Sequence, residues 1–111
     1  MKITSEQLAR TYAKKHLSVD PAVVEAFYLP EGAADNEIRL VYINDLIPEW
    51  MGDQLEPFDF GIDRGAESEH RLLVLDVTPK QWEEIENGSL SLPDSWTTNN
   101  AISLGKRKEA V

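Results

Sequence analysis

One short segment past the middle of the chain fixes the start of a helix more firmly than any other feature: Val77-Thr78-Pro79-Lys80-Gln81-Trp82. Thr78 can cap the helix with its hydroxyl, Pro79 suits the first helical position, and Gln81 can return a hydrogen bond to the cap. The apolar residues on either side of the cap can pack as a hydrophobic staple. Because residues 72–75 are an apolar run, the sequence predicts a strand followed directly by a helix.

Two more helix-start signals lie near the N-terminus. Thr4 and Gln7 form a second capping box, and apolar residues recur at helical spacing over residues 4–17, which predicts an amphipathic helix there. Asp20 gives a simpler signal because a proline follows it. We therefore expect a second, short helix over residues 21–28, where apolar residues also occur four apart.

Runs rich in β-branched and aromatic residues occupy the middle of the chain and predict strands. The first covers residues 38–43, and residues 58–62 and 71–77 flank a polar connection with a glycine that is typical of an antiparallel hairpin. The sequence therefore predicts an α+β fold. Two N-terminal helices pack on a small, mainly antiparallel sheet, and a third short helix follows the last main strand.

The length of 111 residues fits a single domain with one core. We expect a compact domain over residues 1–111, with residues 97–111 as a loosely ordered C-terminal tail because they are largely polar. The last main strand should be central and covered on both faces, because its apolar run does not alternate. The predicted core consists of Leu8, Tyr12, Val24, Phe27, Leu40, Tyr42, Leu73, Leu75, Trp82 and Ile85.

Composition excludes several classes of function. The chain has no cysteine, which removes disulfides, thiolate nucleophiles and cysteine-ligated metals. No stretch is long and apolar enough to span a bilayer, and the N-terminal residues lack the apolar centre of a signal peptide. We therefore expect a cytoplasmic protein without membrane contact, and its oligomeric state stays open.

The net charge of −9 is distributed unevenly. Residues 20–70 contain thirteen acids and two bases, whereas residues 1–19 and 106–111 are net basic. Such a field repels nucleic acid from most of the surface and favours a cationic protein as partner.

The acids of the middle segment alternate with aromatic residues, as in interfaces where an aromatic anchor is surrounded by a charged rim. The sequence thus predicts a small protein-interaction module, such as an inhibitor, an immunity-type protein or an adaptor, that binds a basic protein. The predicted partner-binding residues are Asp45, Glu49, Trp50, Asp53 and Glu56. The alternative for this segment is a solvated, irregular stretch whose aromatic side chains point into the core.

Enzyme signatures are missing from the sequence: it has no nucleophile elbow, no dinucleotide fingerprint and no Walker loop. No catalytic residue, metal site or cofactor is therefore expected. A calcium loop that began at Asp59 would fail, because Gly61 and His70 occupy two of its ligand positions. The alternative function is a small carboxylate- or metal-dependent hydrolase that uses Asp59, Asp63, His70 and Asp76. Convergence of these side chains in one concave pocket would favour the hydrolase.

His16 and Asp76 are the remaining titratable residues of interest. His16 lies in the last turn of the predicted first helix, where a positive charge suits the helix dipole. Asp76, near the end of the apolar strand, is the carboxylate that we most expect to be buried. Its structural alternative is a partner for the backbone at the start of the third helix.

Overall fold

The computed structural model describes residues 4–32, 37–45, 55, 57–63, 70–93 and 95–106, with the backbone alone for residues 60–63 and 70. These residues form two helices and five strands. In chain order the elements are α1 (Ser5–Val19), β1 (Val23–Tyr28), β2 (Glu37–Asn44), β3 (Phe58–Asp63), β4 (His70–Val77), α2 (Pro79–Glu86) and β5 (Ile102–Lys106).

The strands form one sheet in the order β3-β4-β2-β1-β5. β2 lies at the centre, where it pairs in parallel with β4 and antiparallel with β1. β3 and β4 form the antiparallel pair that the sequence predicted, and β5 pairs antiparallel with β1. The α+β class and the mainly antiparallel sheet are therefore confirmed.

The two helices cover opposite faces of the sheet. Leu8, Ala9 and Ala13 of α1 belong to one buried cluster with the inward residues of β1, β2 and β4. Trp82 and Ile85 of α2 belong to a second buried cluster on the other face. The central strands are covered on both sides as predicted for β4, and their alternate residues supply both clusters.

Both predicted capping boxes are present. The Thr4 hydroxyl accepts a hydrogen bond from the Gln7 backbone N–H at 3.1 Å, and the Gln7 side chain accepts one from the Thr4 N–H at 2.9 Å. Thr78 and Gln81 form the same pair of bonds at 3.0 and 2.9 Å, with Pro79 as the first residue of α2. These bonds satisfy backbone donors that would otherwise lack partners at the helix start.

The prediction of a helix over residues 21–28 is wrong, because Val23–Tyr28 form strand β1. The Asp20 side chain accepts a hydrogen bond from the Ala22 N–H at 3.0 Å, and its carbonyl accepts one from the Val23 N–H at 3.2 Å. The polar residue before the proline therefore begins a tight turn into a strand. Because both faces of β1 are covered, apolar residues occur on both faces and do not alternate with polar ones. Their spacing therefore resembles that of apolar residues in a helix.

Most of the predicted core is buried. Leu40 and Leu75 are fully buried, and Leu8, Tyr42, Trp82 and Ile85 are between 3% and 8% exposed. The remaining four residues are partly buried: Tyr12, Val24, Phe27 and Leu73. Residues 102–106, for which the sequence analysis predicted no strand, extend the sheet as β5.

We predict that Trp82→Ala lowers the free energy of unfolding by about 3–5 kcal/mol, the range for removing a large buried aromatic. Trp82 is 8% exposed, and its ring stacks on that of Phe27 with centroids 4.6 Å apart. Urea unfolding followed by circular dichroism measures the loss. Phe58→Ala is the matched control, because Phe58 is 59% exposed and should cost under about 1 kcal/mol. A similarly small loss for Trp82→Ala would contradict the prediction.

Candidate functional site

Three carboxylates lie at one end of the sheet, where the two parallel strands finish. Asp76 is the penultimate residue of β4, Asp45 follows β2 directly, and Asp20 lies between α1 and β1. The Asp45 N–H donates to the carbonyl of Ala22 at 3.1 Å, which places Asp45 beside the turn that contains Asp20. We refer to Asp20, Asp45 and Asp76 as the acidic end.

The acidic end adjoins a contact between α1 and the centre of the sheet. Tyr42 of β2 is the register partner of Asp76 in the parallel pair, and its side chain is 3% exposed. The Tyr42 hydroxyl is hydrogen-bonded to Nδ1 of His16, from the last turn of α1. The two rings meet edge to face with centroids 5.2 Å apart. The C-terminal turn of α1 is thereby attached to β2.

The surroundings of this pair set its protonation. Burial raises the pKa of Tyr42 far above its ordinary value, and the charge of Asp76 raises it further. Burial lowers the pKa of His16, as does the charge of Lys15, while Asp20 acts in the opposite direction. At neutral pH the hydroxyl and the imidazole are therefore both uncharged, and one proton joins them in the hydrogen bond. A tyrosine held so firmly in the protonated state is a poor nucleophile, so this contact is structural.

Among the described carboxylates, Asp76 has the pKa that its surroundings raise. Its side chain is exposed, so the expectation that it is buried is wrong, yet desolvation by neighbouring atoms raises the pKa of its carboxyl, and the nearby charge of Asp20 raises it further. Among the described residues, no basic side chain forms an ion pair with Asp76. Two carboxylates so placed repel each other, and a cation brought to this end of the sheet would reduce that repulsion.

An exposed aromatic side chain lies on the same face as Asp76. Phe58, the first residue of β3, is the register partner of Val74 and is 59% exposed. Because side chains two residues apart on a strand share a face, Phe58 is a diagonal neighbour of Asp76, at about 7–8 Å. Asp59, the next residue on β3, faces the other side of the sheet, where it forms an exposed ion pair with Arg71 at 3.2 Å. The charged group near the Phe58 ring on its own face is therefore the carboxylate of Asp76.

Of the predicted partner-binding residues, Asp45 is exposed and belongs to the acidic end. Glu49, Trp50, Asp53 and Glu56 lie outside the described residues. Sequence reasoning placed Asp20 at a helix start, and so did not include it in the site.

Tyr42 and Phe58 were also not predicted as site residues. Tyr42 was assigned to the core, where it lies, but its hydroxyl partner comes from a helix 26 residues away in sequence. Phe58 did carry a signal, because it is part of the alternation of acids and aromatic residues that suggested a binding surface.

The four residues of the hydrolase alternative do not converge. Asp63 and His70 are register partners at one end of the β3–β4 pair, whereas Asp76 lies near the other end of β4. At the rise of a strand, His70 and Asp76 are about 20 Å apart. Asp59 is engaged with Arg71 between them. Within the described residues, no group of three or more potential ligands could hold a metal ion.

In comparisons with known protein families, known proteins and solved structures, the chain matches none of them. Neither helix in the described part of the chain combines the length and the apolar composition needed to cross a membrane.

We predict that Tyr42→Phe lowers the free energy of unfolding by about 0.5–1.5 kcal/mol, the net value of one hydrogen bond. The substitution keeps the ring and removes only the hydroxyl that contacts His16. Tyr12→Phe is the control, because Tyr12 packs against the same cluster and its hydroxyl has no hydrogen bond to a described residue. Equal losses in urea unfolding for the two variants would show that the hydroxyl of Tyr42 contributes nothing specific.

A second prediction concerns the pH dependence of stability. The pKa of His16 is lower in the folded protein than its ordinary value of 6.5. The unfolded chain therefore binds a proton more readily, so the stability that uncharged His16 contributes is fully present above pH 6.5 and is lost as the pH falls through the pKa of the folded protein. Thermal melts of the wild type and of His16→Gln should therefore converge, or cross, as the pH is lowered from about 7.5 to 5. The raised pKa of Asp76 has the opposite effect on stability: its contribution is present below its ordinary pKa of 3.8 and is lost as the pH rises through the pKa of the folded protein. A difference in melting temperature that does not change over this range would contradict the prediction.

Proposed function

We propose that this protein is a small interaction module that binds a basic protein through the acidic end of its sheet. The observation that carries the proposal is the exposed ring of Phe58, beside Asp76 and on an edge strand. A large exposed aromatic with a carboxylate beside it is typical of an interface anchor at a charged rim. Asp45 of the acidic end is also one of the residues that the sequence predicts for partner binding.

The electrostatics of the acidic end also support a cationic partner. Ionisation of Asp76 is disfavoured, because its carboxyl is desolvated by neighbouring atoms and close to Asp20. A lysine or arginine side chain from a partner would stabilise the ionised form and lower its pKa towards the ordinary value. Part of the repulsion within the free protein would thus be converted into affinity for a basic surface.

The two parts of the surface should act on different steps of binding. Exposed carboxylates attract a basic partner over a range of about 10 Å at 0.1 M ionic strength, so they govern mainly the association rate. An aromatic anchor acts through desolvated contact and governs mainly the dissociation rate. Residues 45–63 would supply both the carboxylates and the anchor. Phe58 is the proposed anchor, and Trp50 is a second candidate for that role.

We predict that neutralising Asp45, Glu49, Asp53 and Glu56 together, as Asn or Gln, lowers the association rate. The rate for the wild type should fall markedly as salt is raised, and the variant should lose most of this dependence. Phe58→Ala should instead raise the dissociation rate and leave the association rate nearly unchanged. The partner is first captured from the native host, and surface-binding kinetics are then measured across a salt series.

Neutralising Lys80, Glu83, Glu84 and Glu86 of α2, on the opposite face, provides the control variant. Circular dichroism checks that each variant folds. If the variant with four neutralised acids at positions 45, 49, 53 and 56 binds with unchanged kinetics at every salt concentration, these carboxylates are only a solvated surface and the proposal fails. If Phe58→Ala leaves the dissociation rate unchanged, the ring is not the anchor.

A further inference from the structure

The two edges of the sheet are β3 and β5, and basic residues lie beside the β5 edge, in contrast to the acidic end. β5 is the last strand in the sheet order and pairs with β1 on one side only, so its outer edge is not paired with any described strand. Such an edge presents backbone N–H and C=O groups that can pair with an added strand. It is five residues long, Ile102–Lys106, which is enough for a peptide to form several ladder hydrogen bonds.

Helix α1 and β5 enclose a shallow surface groove beside this edge. Its volume is about 450 Å³, and Arg10, Lys14 and Leu17 of α1 line it together with residues 104–106. The three helix residues follow helical spacing and form one stripe along α1. Gly105 allows the close approach of strand and helix, because a Cβ atom there would lie 3.2 Å from the Leu17 side chain.

The groove is basic in a strongly acidic chain. Arg10, Lys14 and Lys106 line it, and no described carboxylate does so. Arg10 forms an ion pair with Glu6 at 3.3 Å, but both side chains are about half exposed, and such pairs contribute little. Glu6 contacts Arg10, and Glu25 is the register partner of Lys106 in the β1–β5 pair, so these two carboxylates offset part of the positive charge. The three cations stay in excess over the two carboxylates, and charges farther away than about 10 Å are largely screened at 0.1 M ionic strength.

We propose that the β5 edge and this groove bind an extended, acidic peptide segment of another protein, which adds to the sheet as a sixth strand. Backbone hydrogen bonds to β5 hold the segment, and its alternate side chains point to the α1 side of the sheet. On that side, carboxylates meet Arg10 and Lys14, and an apolar side chain contacts Leu17 and Leu104, while Lys106 lines the end of the groove. This site lies apart from the acidic end, so it does not depend on the function proposed above.

The chemistry of the site selects among peptides. A segment in which acidic and apolar residues share one face satisfies both the cations and the leucines, whereas a basic segment is repelled. A second copy of β5 would bring the same cations together, which disfavours pairing of two identical edges. The charge of the groove therefore points to an acidic partner strand.

The probe is a short synthetic peptide of alternating glutamate and valine, with a glutamine–valine peptide of equal length as the neutral comparison. Binding to the full chain is measured by fluorescence anisotropy, and amide hydrogen exchange by NMR locates it. We expect the acidic peptide to bind more tightly than the neutral one by at least about tenfold, a total difference of about 1.4 kcal/mol to which the cations of the groove contribute together. Amides of residues 102–106 should become protected in the complex.

The variant Lys14→Glu, Lys106→Glu should weaken binding of the acidic peptide by at least about tenfold. Lys15→Glu, Lys80→Glu makes the same change in net charge with exposed lysines that do not line the groove, and should weaken binding by less than about threefold. Lys14→Gln, Lys106→Gln gives an intermediate loss and a second measurement should the charge-reversed variant not fold.

Three results would overturn the proposal. The first is no binding of the acidic peptide at millimolar concentration. The second is equal losses for the groove variant and the control variant, which would mean that only net charge matters. The third is binding without added protection of the β5 amides, which would place the peptide elsewhere on the protein.

Discussion

The parallel pairing of β2 with β4 is the contact on which the rest of the structure depends. It runs in unbroken register from Glu37 opposite Arg71 to Ile43 opposite Val77. Leu40, Val41 and Leu75 within it are fully buried, so it forms the centre of both apolar clusters. Since parallel strands end at the same side of a sheet, this pairing brings Asp45 and Asp76 to one end. The acidic end therefore follows from the direction of two strands.

Two polar contacts then attach the outer elements to this centre. On one face, Tyr42 is hydrogen-bonded to His16 and attaches α1. On the other face, Arg39 is 6% exposed, pairs with Glu37 and donates to the Ser95 carbonyl at 2.7 Å. A buried guanidinium needs such partners, because an unpaired charge in the interior would be strongly destabilising.

The contact made by Arg39 also determines the path of the chain towards β5. Its guanidinium lies 5.1 Å from the centre of the Trp96 ring, and a second nitrogen donates to the Ser95 hydroxyl at 3.1 Å. Gly32 is required at this point, because its φ is +84° and a Cβ atom would lie 2.2 Å from the Ser95 carbonyl oxygen. A buried charge in the central strand thus holds the segment that leads to β5.

Local signals in the sequence were sufficient for some elements and misleading for others. The capping boxes at Thr4 and Thr78 act within one turn of helix, so their residues alone predicted α1 and α2. β1 was mistaken for a helix because a strand covered on both faces loses its polar alternation. β5 escaped prediction because only Ile102 and Leu104 are apolar within it, and its pairing with β1 joins residues far apart in sequence.

The candidate site shows the same division between local and long-range information. Asp45 could be identified from the acidic run alone, whereas the approach of Asp20 to Asp76 depends on strand order, which no local pattern encodes. The exposure of Phe58 likewise depends on β3 being an edge strand. The residue types in the sequence therefore indicated that the surface is acidic and carries aromatic side chains. The strand order determines which of these residues lie close together.

The sheet has two edges of unlike character, and each carries a feature that limits pairing between copies of the chain. On β3 the register with β4 shifts between Asp59 and Gly61, and on β5 the register with β1 shifts beside Leu104. Such irregularities twist an edge and disfavour its pairing with another rigid, flat strand. A flexible peptide can adjust its own backbone to a bulged strand, whereas the edge of a folded copy cannot. The bulges therefore disfavour pairing of two folded copies through their edges more than they disfavour the strand addition that we propose for β5.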